Sequence, residues 1–120
     1  MPRTDITVQT PKGPYPALPV AANALDITET VADVGNLNQF TFTGKELIIV
    51  RNVNAGAQTV TLTSAADDKG RTGDITAFSL GAGEMAAFLA TQLTGWAQSD
   101  GKFYLAGSHA DIKFAILRLP

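Results

Sequence analysis

The amino-acid sequence predicts an all-β protein, an antiparallel β-sandwich of the jelly-roll type with an extended Pro-rich N-terminal arm. Three observations predict it. From residue 25 onward, apolar and polar residues alternate with a period of two in short stretches between turn residues. No stretch shows a convincing helical stripe, and five of the six prolines lie within residues 1–22. The predicted organisation is an arm over residues 1–22 and one sandwich domain over residues 23–120.

The arm is predicted from its prolines, which exclude a helix interior or a central strand. Its first part, residues 4–9, alternates polar and apolar residues and can add as a strand to a sheet edge of its own or a neighbouring subunit. The stretch that follows, PKGPYPALPV, is typical of a polyproline-like strap. We expect the segment to be an arm that becomes ordered when it binds a partner. Its expected anchors are Ile6, Val8, Tyr15, Leu18 and Val20. A loosely packed tail is the alternative.

The alternating stretches of the body predict nine strands. They are expected near residues 25–31, 38–43, 46–53, 57–64, 74–80, 84–90, 92–98, 102–107 and 111–119. The best candidate for a helix is EMAAFLATQL, but the glycines at 81, 83 and 95 around it favour a strand.

Turn residues predict how the strands connect. Asn54-Ala55-Gly56 and Asp100-Gly101 are both predicted to close hairpins, because Asn, Asp and Gly tolerate the positive φ of tight turns. Gly81-Ala82-Gly83 predicts a further tight connection. The long polar stretch AADDKGRTGD predicts an exposed loop.

The alternation also predicts the core. The expected core residues are Leu25, Ile27, Phe40, Phe42, Leu47, Ile49, Val60, Leu62, Phe78, Leu80, Phe88, Phe103, Leu105, Phe114 and Ile116. In the last strand the apolar positions change parity after residue 116, which predicts either a β-bulge or a strand that is apolar on both faces.

Composition excludes several function classes. The net charge of −2 provides no basic stripe for nucleic acid. No apolar run approaches the roughly 20 residues needed to span a bilayer, and the start MPRTDITVQT lacks the apolar stretch of a signal peptide. The absence of cysteine excludes disulfides and thiolate metal sites.

The sequence offers little for catalysis, metal binding or a cofactor. His109 is the only histidine, and no Ser or Asp around it has triad spacing. The stretch DDKGRTGD lacks the alternate ligands and final Glu of an EF-hand, and two cations lie within it, which favours a solvated loop. We therefore expect a protein that is not an enzyme and carries no catalytic, cofactor or metal site.

Two features point instead to binding. Thr59, Thr61 and Thr63 form a row on one strand face, which suits subunit contact because hydroxyls pack without the desolvation cost of charge. An ordinary solvent face chosen for β propensity is the alternative. Trp96 is expected in a core or a subunit interface, or else in a sugar-stacking platform with Tyr104 and Tyr15.

The body of the chain contains LIIVRNVNAGAQTVTLTSAADDKGRTGDITAFSLGAGEMAAFL, then GWAQSDGKFYLAGS and a closing IKFAILRL. Over roughly residues 38–120, this order of elements resembles that of small β-sandwich structural proteins of tailed bacteriophages and prophages, in particular jelly-roll head decoration (cement) proteins. The resemblance includes no catalytic motif. It implies homotrimers on local threefold axes of the capsid, with an extended N-terminal segment that reaches onto the capsid or a neighbouring subunit.

Together, residues and resemblance predict a virion structural protein, made in the bacterial cytoplasm, that binds the outer surface of the major capsid protein lattice as a homotrimer and stabilises the head. Its interface candidates are the five arm anchors, the threonine row and Trp96. The alternative is a receptor- or glycan-binding head domain of a tail fibre or tip, or a carbohydrate-binding module. A connector or minor capsid subunit with the same fold is a third possibility.

Overall fold

The structure is a computed structural model that describes residues 2–11, 22, 26–66 and 69–119. These residues form ten β-strands and no helix, which confirms the all-β prediction. The strands make two mixed sheets of five strands each, and the sheets pack together as a β-sandwich. The stretch EMAAFLATQL contains a strand, as its flanking glycines predict.

The first sheet, sheet I, has the strand order β1-β4-β9-β6-β7. Its strands are β1 (Thr4–Asp5), β4 (Asn38–Thr41), β9 (Lys102–Gly107), β6 (Gln58–Thr63) and β7 (Ile75–Leu80). A β-bulge interrupts the β6–β7 register, and Ala77 there has a positive φ of 54°. The hydroxyl of Thr61 accepts the Ala77 N–H at 3.1 Å and so satisfies the displaced backbone.

The second sheet, sheet II, has the strand order β2-β10-β5-β8. Its strands are β2 (Val8–Gln9), β10 (Ile112–Arg118), β5 (Glu46–Asn52) and β8 (Met85–Ala90), with β3 (Thr30–Val31) also paired to β10. Because β5 occupies one side of β10 along its whole length, β2 and β3 lie end to end on its other side. The unbroken β10–β5 register shows that the parity change reflects a central strand that is apolar on both faces.

The N-terminal segment joins both sheets of its own chain. β1 pairs in parallel with β4 and β2 in parallel with β10, so the expectation of purely antiparallel sheets is wrong for these strands. Between the two pairings, the side chain of Ile6 is only 4% exposed and belongs to the core. Residues 4–9 therefore add to sheet edges, as their alternation predicts, and they close one side of the sandwich.

The predicted hairpin at Asn54–Gly56 is wrong. β5 already has β10 and β8 on its two sides, so the chain must leave sheet II and β6 forms in sheet I. The connection at Gly81–Gly83 is tight, as predicted, and likewise passes from one sheet to the other. Both connections therefore carry the chain from one sheet to the other, although their turn residues are also compatible with a hairpin within one sheet.

The turn at Asp100–Gly101 forms, but it does not join two strands. Gly101 has a φ of +79° and donates its N–H to the Gln98 carbonyl at 2.9 Å. The strand expected over residues 92–98 is absent, because the chain turns at Gly95, where φ is +90°, and Ala97 donates to the Leu93 carbonyl. The strand expected over 25–31 is reduced to Thr30–Val31 among its described residues.

The core largely follows the prediction, but β5 has the opposite parity. Ile48 and Val50 are fully buried, whereas Leu47 and Ile49 are half-buried on the outer face of sheet II. The inward face also contains Glu46 and Asn52, both fully buried. Both faces of ELIIVRN are apolar at the centre, so alternation alone does not decide between them.

Three other core predictions need correction or fall outside the structure. Ile27 and Phe78 are 52% and 41% exposed. Phe78 points into the sandwich from the edge strand β7, where the two sheets leave one side open. Leu25 lies outside the described residues.

Candidate interaction surfaces

The threonine row lies on the outer face of sheet I, as predicted. Thr59, Thr61 and Thr63 are all half-buried there and face Ser79, Ala106 and Tyr104 on the neighbouring strands. Thr61 has an internal role, because its hydroxyl satisfies the β-bulge at Ala77. This face is uncharged along β6.

The rest of this outer face is a polar network. Tyr104 donates a hydrogen bond to Asp100 at 2.9 Å, and the guanidinium of Arg3 lies 4.1 Å from the ring centroid of Tyr104. The hydrogen bond to Asp100, together with burial, raises the pKa of Tyr104. Lys102 donates to Thr41 at 3.1 Å. The outer face of sheet I is therefore well suited to contact with water.

The outer face of sheet II is apolar, in contrast. The strand register places side chains in rows across β10, β5 and β8. One row is Leu117, Leu47 and Leu89; the next is Ala115, Ile49 and Ala87. Leu89 is 63% exposed. We call these six residues the apolar face.

A row with charged side chains borders one end of the apolar face. The next row is Lys113, Arg51 and Met85. Arg51 donates to both carboxylate oxygens of Glu29, at 2.8 and 2.5 Å, and these hydrogen bonds lower the pKa of Glu29. Of the two apolar rows, Ala87 and Leu89 are exposed, Leu117, Leu47 and Ile49 are half-buried, and Ala115 is only 1% exposed. The outward apolar surface therefore lies mainly along β8 and β5.

Sequence reasoning missed the apolar face because it placed Leu47 and Ile49 in the core. A usable signal was Arg51, which shares their parity and would have been buried with them at a high desolvation cost. Glu46 and Asn52, on the other parity, are short enough to be satisfied by backbone groups at the ends of the strand.

Trp96 lies between two cavities and packs on the core. Its ring stacks on Phe103 with centroids 5.6 Å apart. One cavity, of about 290 Å³, is lined by polar groups that include Gln92 and Thr94. The other, of about 400 Å³, is lined mainly by apolar side chains, including Ile75 and Phe88.

The structure does not bring Trp96 and Tyr104 together. Phe103, on which Trp96 stacks, points into the sandwich, whereas Tyr104 is the next residue on β9 and lies on the opposite face of the strand. Tyr15 lies outside the described residues. A sugar-stacking platform built from Trp96 and Tyr104 is therefore excluded by the geometry.

The side of the sandwich opposite the N-terminal segment is open. It is bounded by β7 and β8, the edge strands of the two sheets. Phe78 and Phe88 meet there edge to face with centroids 5.4 Å apart. The 400 Å³ cavity also lies on this side. We call it the open side.

The predicted arm anchors fall into two groups. Ile6 and Val8 pack within their own sandwich. Tyr15, Leu18 and Val20 lie outside the described residues. Residues 12–21 and 23–25 lie outside the described residues. The Gln9 side chain holds the segment that follows them: it donates to the Asp26 carbonyl at 3.3 Å and accepts from the Thr28 N–H at 2.7 Å.

The single histidine and the acidic residues are dispersed in the described part of the chain. His109 is exposed at the β9–β10 turn, where its Nδ1 accepts the Asp111 N–H at 3.0 Å. Within residues 2–11, 22, 26–66 and 69–119, no three His, Cys, Asp or Glu side chains are grouped to hold a metal ion. The described residues also contain no helix long and apolar enough to cross a membrane.

Comparison of the chain with protein-family models, with curated proteins and with solved structures found no match.

Proposed function

We propose that the chain is a non-enzymatic virion structural protein, a bacteriophage head decoration protein that binds the outer surface of the major capsid protein lattice as a homotrimer. It would act as a noncovalent clamp. Many copies, each bridging neighbouring capsid subunits, would stabilise the shell because they bind the assembled lattice and not its separated subunits.

The observation that carries the proposal is the contrast between the two outer faces of the sandwich. The outer face of sheet I is a polar network, whereas sheet II presents Leu117, Leu47, Leu89 and Ile49 outward. An apolar surface with a polar or charged rim is typical of a protein-binding site. A clamp needs such a surface, and it needs no catalytic group.

We further propose that the sandwich is a jelly roll. Strands β3 to β10 support this, because they form the four-strand sets β3-β10-β5-β8 and β4-β9-β6-β7. Two sheets with this alternating order correspond to two interleaved Greek keys. Strands that are distant in sequence also pair, as a jelly roll requires: β4 pairs with β9, and β5 pairs with β8 and β10.

The Pro-rich segment would contact the same partner as the apolar face. Gln9, which holds the base of this segment, pairs with Leu117 in the outermost apolar row. Tyr15, Leu18 and Val20 follow Gln9 along the chain and would therefore reach the partner from the border of the apolar face. Thr59, Thr61, Thr63 and Trp96 lie away from that face, so we assign them a smaller contribution to capsid binding.

The test uses heads of the phage whose genome encodes the chain, assembled without it. Purified protein should bind these heads saturably and raise the temperature at which they disrupt. Substituting Tyr15, Leu18 and Val20 by serine should weaken binding at least about tenfold, as expected for loss of apolar anchors. Deleting residues 1–22 is a poorer test, since it also removes Ile6 and two strands.

A second candidate function is a glycan-binding module or the receptor-binding head of a tail fibre, and the polar cavity beside Trp96 favours it. Failure to bind heads, together with glycan-array binding that is lost in Gln92→Ala or Thr94→Ala, would replace the first proposal with this one. These two substitutions leave the Trp96–Phe103 stack in place.

A further inference from the structure

The edge of β8 differs from the other sheet edges in the described part of the chain. β1, β2 and β3 contain two residues each, and β7 carries the bulge at Ala77. Short edge strands and bulges are two ways in which proteins prevent edge-to-edge pairing. β8 has six residues, Met85–Ala90, with no charge, proline or bulge.

The backbone groups on this edge can be assigned from the ladder. Asn52 donates its N–H to the Glu84 carbonyl at 2.9 Å. Because hydrogen-bonded positions alternate along an antiparallel pair, residues 86, 88 and 90 face β5. The N–H and C=O groups of Met85, Ala87 and Leu89 therefore point to the free edge.

Exposed apolar side chains surround the same edge. Met85 and Leu89 are 60% and 63% exposed, and Phe78 on the neighbouring edge strand is 41% exposed. The 400 Å³ cavity opens beside them. Both strands of the open side are uncharged, since Asp74 and Glu84 lie outside them and bind Ser64 and the Gly81 N–H.

The size of this surface indicates what kind of partner it needs. A stable interface buries about 800 Å² on each partner. Three partly exposed apolar side chains supply only a few hundred Å². Backbone pairing must add to them, so the partner must itself present an unblocked, uncharged strand edge. A second copy of this chain presents the same edge.

We propose that β8 is the strand through which copies of this chain associate, with Met85, Leu89 and Phe78 buried between them. The inference goes beyond the proposed function, because it assigns a self-association surface to the free protein, where two β8 edges that pair with each other join two copies. Ala87 and Leu89 also belong to the apolar face, so this pairing leaves Leu117, Leu47 and Ile49 of that face for the capsid. Its test uses the free protein without heads. A failure of capsid binding and a failure of self-association are therefore distinguishable.

The experiment is sedimentation of the full chain over a range of concentrations. The wild type should sediment as a dimer, because two β8 edges that pair with each other leave no free edge for a third copy. Ala87→Pro should weaken association at least about tenfold, because it removes an N–H on the free edge while leaving the ladder with β5 intact. Met85→Lys should act similarly by placing a charge on the edge.

The matched control is Thr63→Lys, which adds the same charge to the outer face of sheet I and should leave the oligomer unchanged. Circular dichroism and Trp96 fluorescence report whether each variant keeps its fold, and Met85→Lys decides if Ala87→Pro does not fold. A wild type that stays monomeric at ~100 μM would overturn the proposal, since even a weak specific contact is populated there. The proposal would also be overturned if a correctly folded Ala87→Pro or Met85→Lys variant formed the same oligomer as the wild type.

Discussion

Replacing Asn52 with alanine is expected to lower the free energy of unfolding by about 3 kcal/mol, because a fully buried amide loses its hydrogen bonds to four backbone groups. Asn52 is fully buried at the end of β5. Its Nδ2 donates toward the carbonyls of Gly56, Leu80 and Gly81 at 3.0, 3.0 and 3.1 Å, and its Oδ1 accepts the Asn54 N–H at 2.9 Å.

These contacts tie together the two connections that pass between the sheets, β5 to β6 and β7 to β8. Without the amide, the Leu80 carbonyl loses this buried donor and the carbonyl of the exposed Gly56 is left to solvent, whereas the Gly81 carbonyl keeps the Glu84 N–H at 3.0 Å. Chemical denaturation followed by Trp96 fluorescence measures the loss. Asn54→Ala is the matched control, since that side chain is half-exposed and its removal should cost about 1 kcal/mol or less. Equal losses in the two variants would contradict the account.

Replacing Glu46 with glutamine is expected to cost about 3 kcal/mol at neutral pH, because a buried charge with matched donors is removed. The Glu46 carboxylate is fully buried and accepts hydrogen bonds from the Thr43 N–H at 2.9 Å and hydroxyl at 2.7 Å, and from Arg118 Nε at 2.6 Å. Arg118 is one-third exposed and can be solvated in the variant, which limits the loss.

The same carboxylate makes stability depend on pH. Burial acts to raise the pKa of Glu46, but the hydrogen bonds from Arg118, Thr43 and Lys45 outweigh it and hold the pKa below its ordinary value of 4.5. A carboxyl with a lowered pKa in the folded state stabilises the fold above its unfolded pKa. Its contribution is then lost as the pH falls from about 4.5 through the folded-state pKa.

Wild-type stability should therefore decline below pH 4.5, and the difference between wild type and Glu46→Gln should shrink over the same range. Denaturation curves between pH 7 and pH 3 measure this. A constant difference between wild type and Glu46→Gln down to pH 3 would show that the carboxylate charge does not contribute as described.

Much of the fold follows from local sequence. β6 and β9 are placed by clean alternation, with Val60 and Leu62 or Phe103 and Leu105 inward. The Gly83 and Gly101 turns follow from the positive φ that each position requires. These features depend on neighbouring residues alone, which is why a single sequence predicts them.

The assignment of strands to sheets does not follow in the same way. Asn54 and Gly56 are compatible both with a hairpin and with a crossing between sheets, and the choice depends on β8 and β10 having taken both sides of β5. The buried Glu46 and Asn52 are tolerated only because distant groups such as Arg118 and the Leu80 carbonyl meet them. The faces of β5, and with them the apolar face, therefore depend on contacts that local alternation does not encode.

The central claim is that the apolar face of sheet II holds the chain to a protein partner. Its most direct test is binding to heads assembled without the chain, with one lysine placed on either outer face. Ile49→Lys should reduce the affinity at least about tenfold, because it puts a charge at the centre of the contact, while Thr63→Lys should bind as the wild type does. Undiminished binding by a folded Ile49→Lys protein would contradict the account.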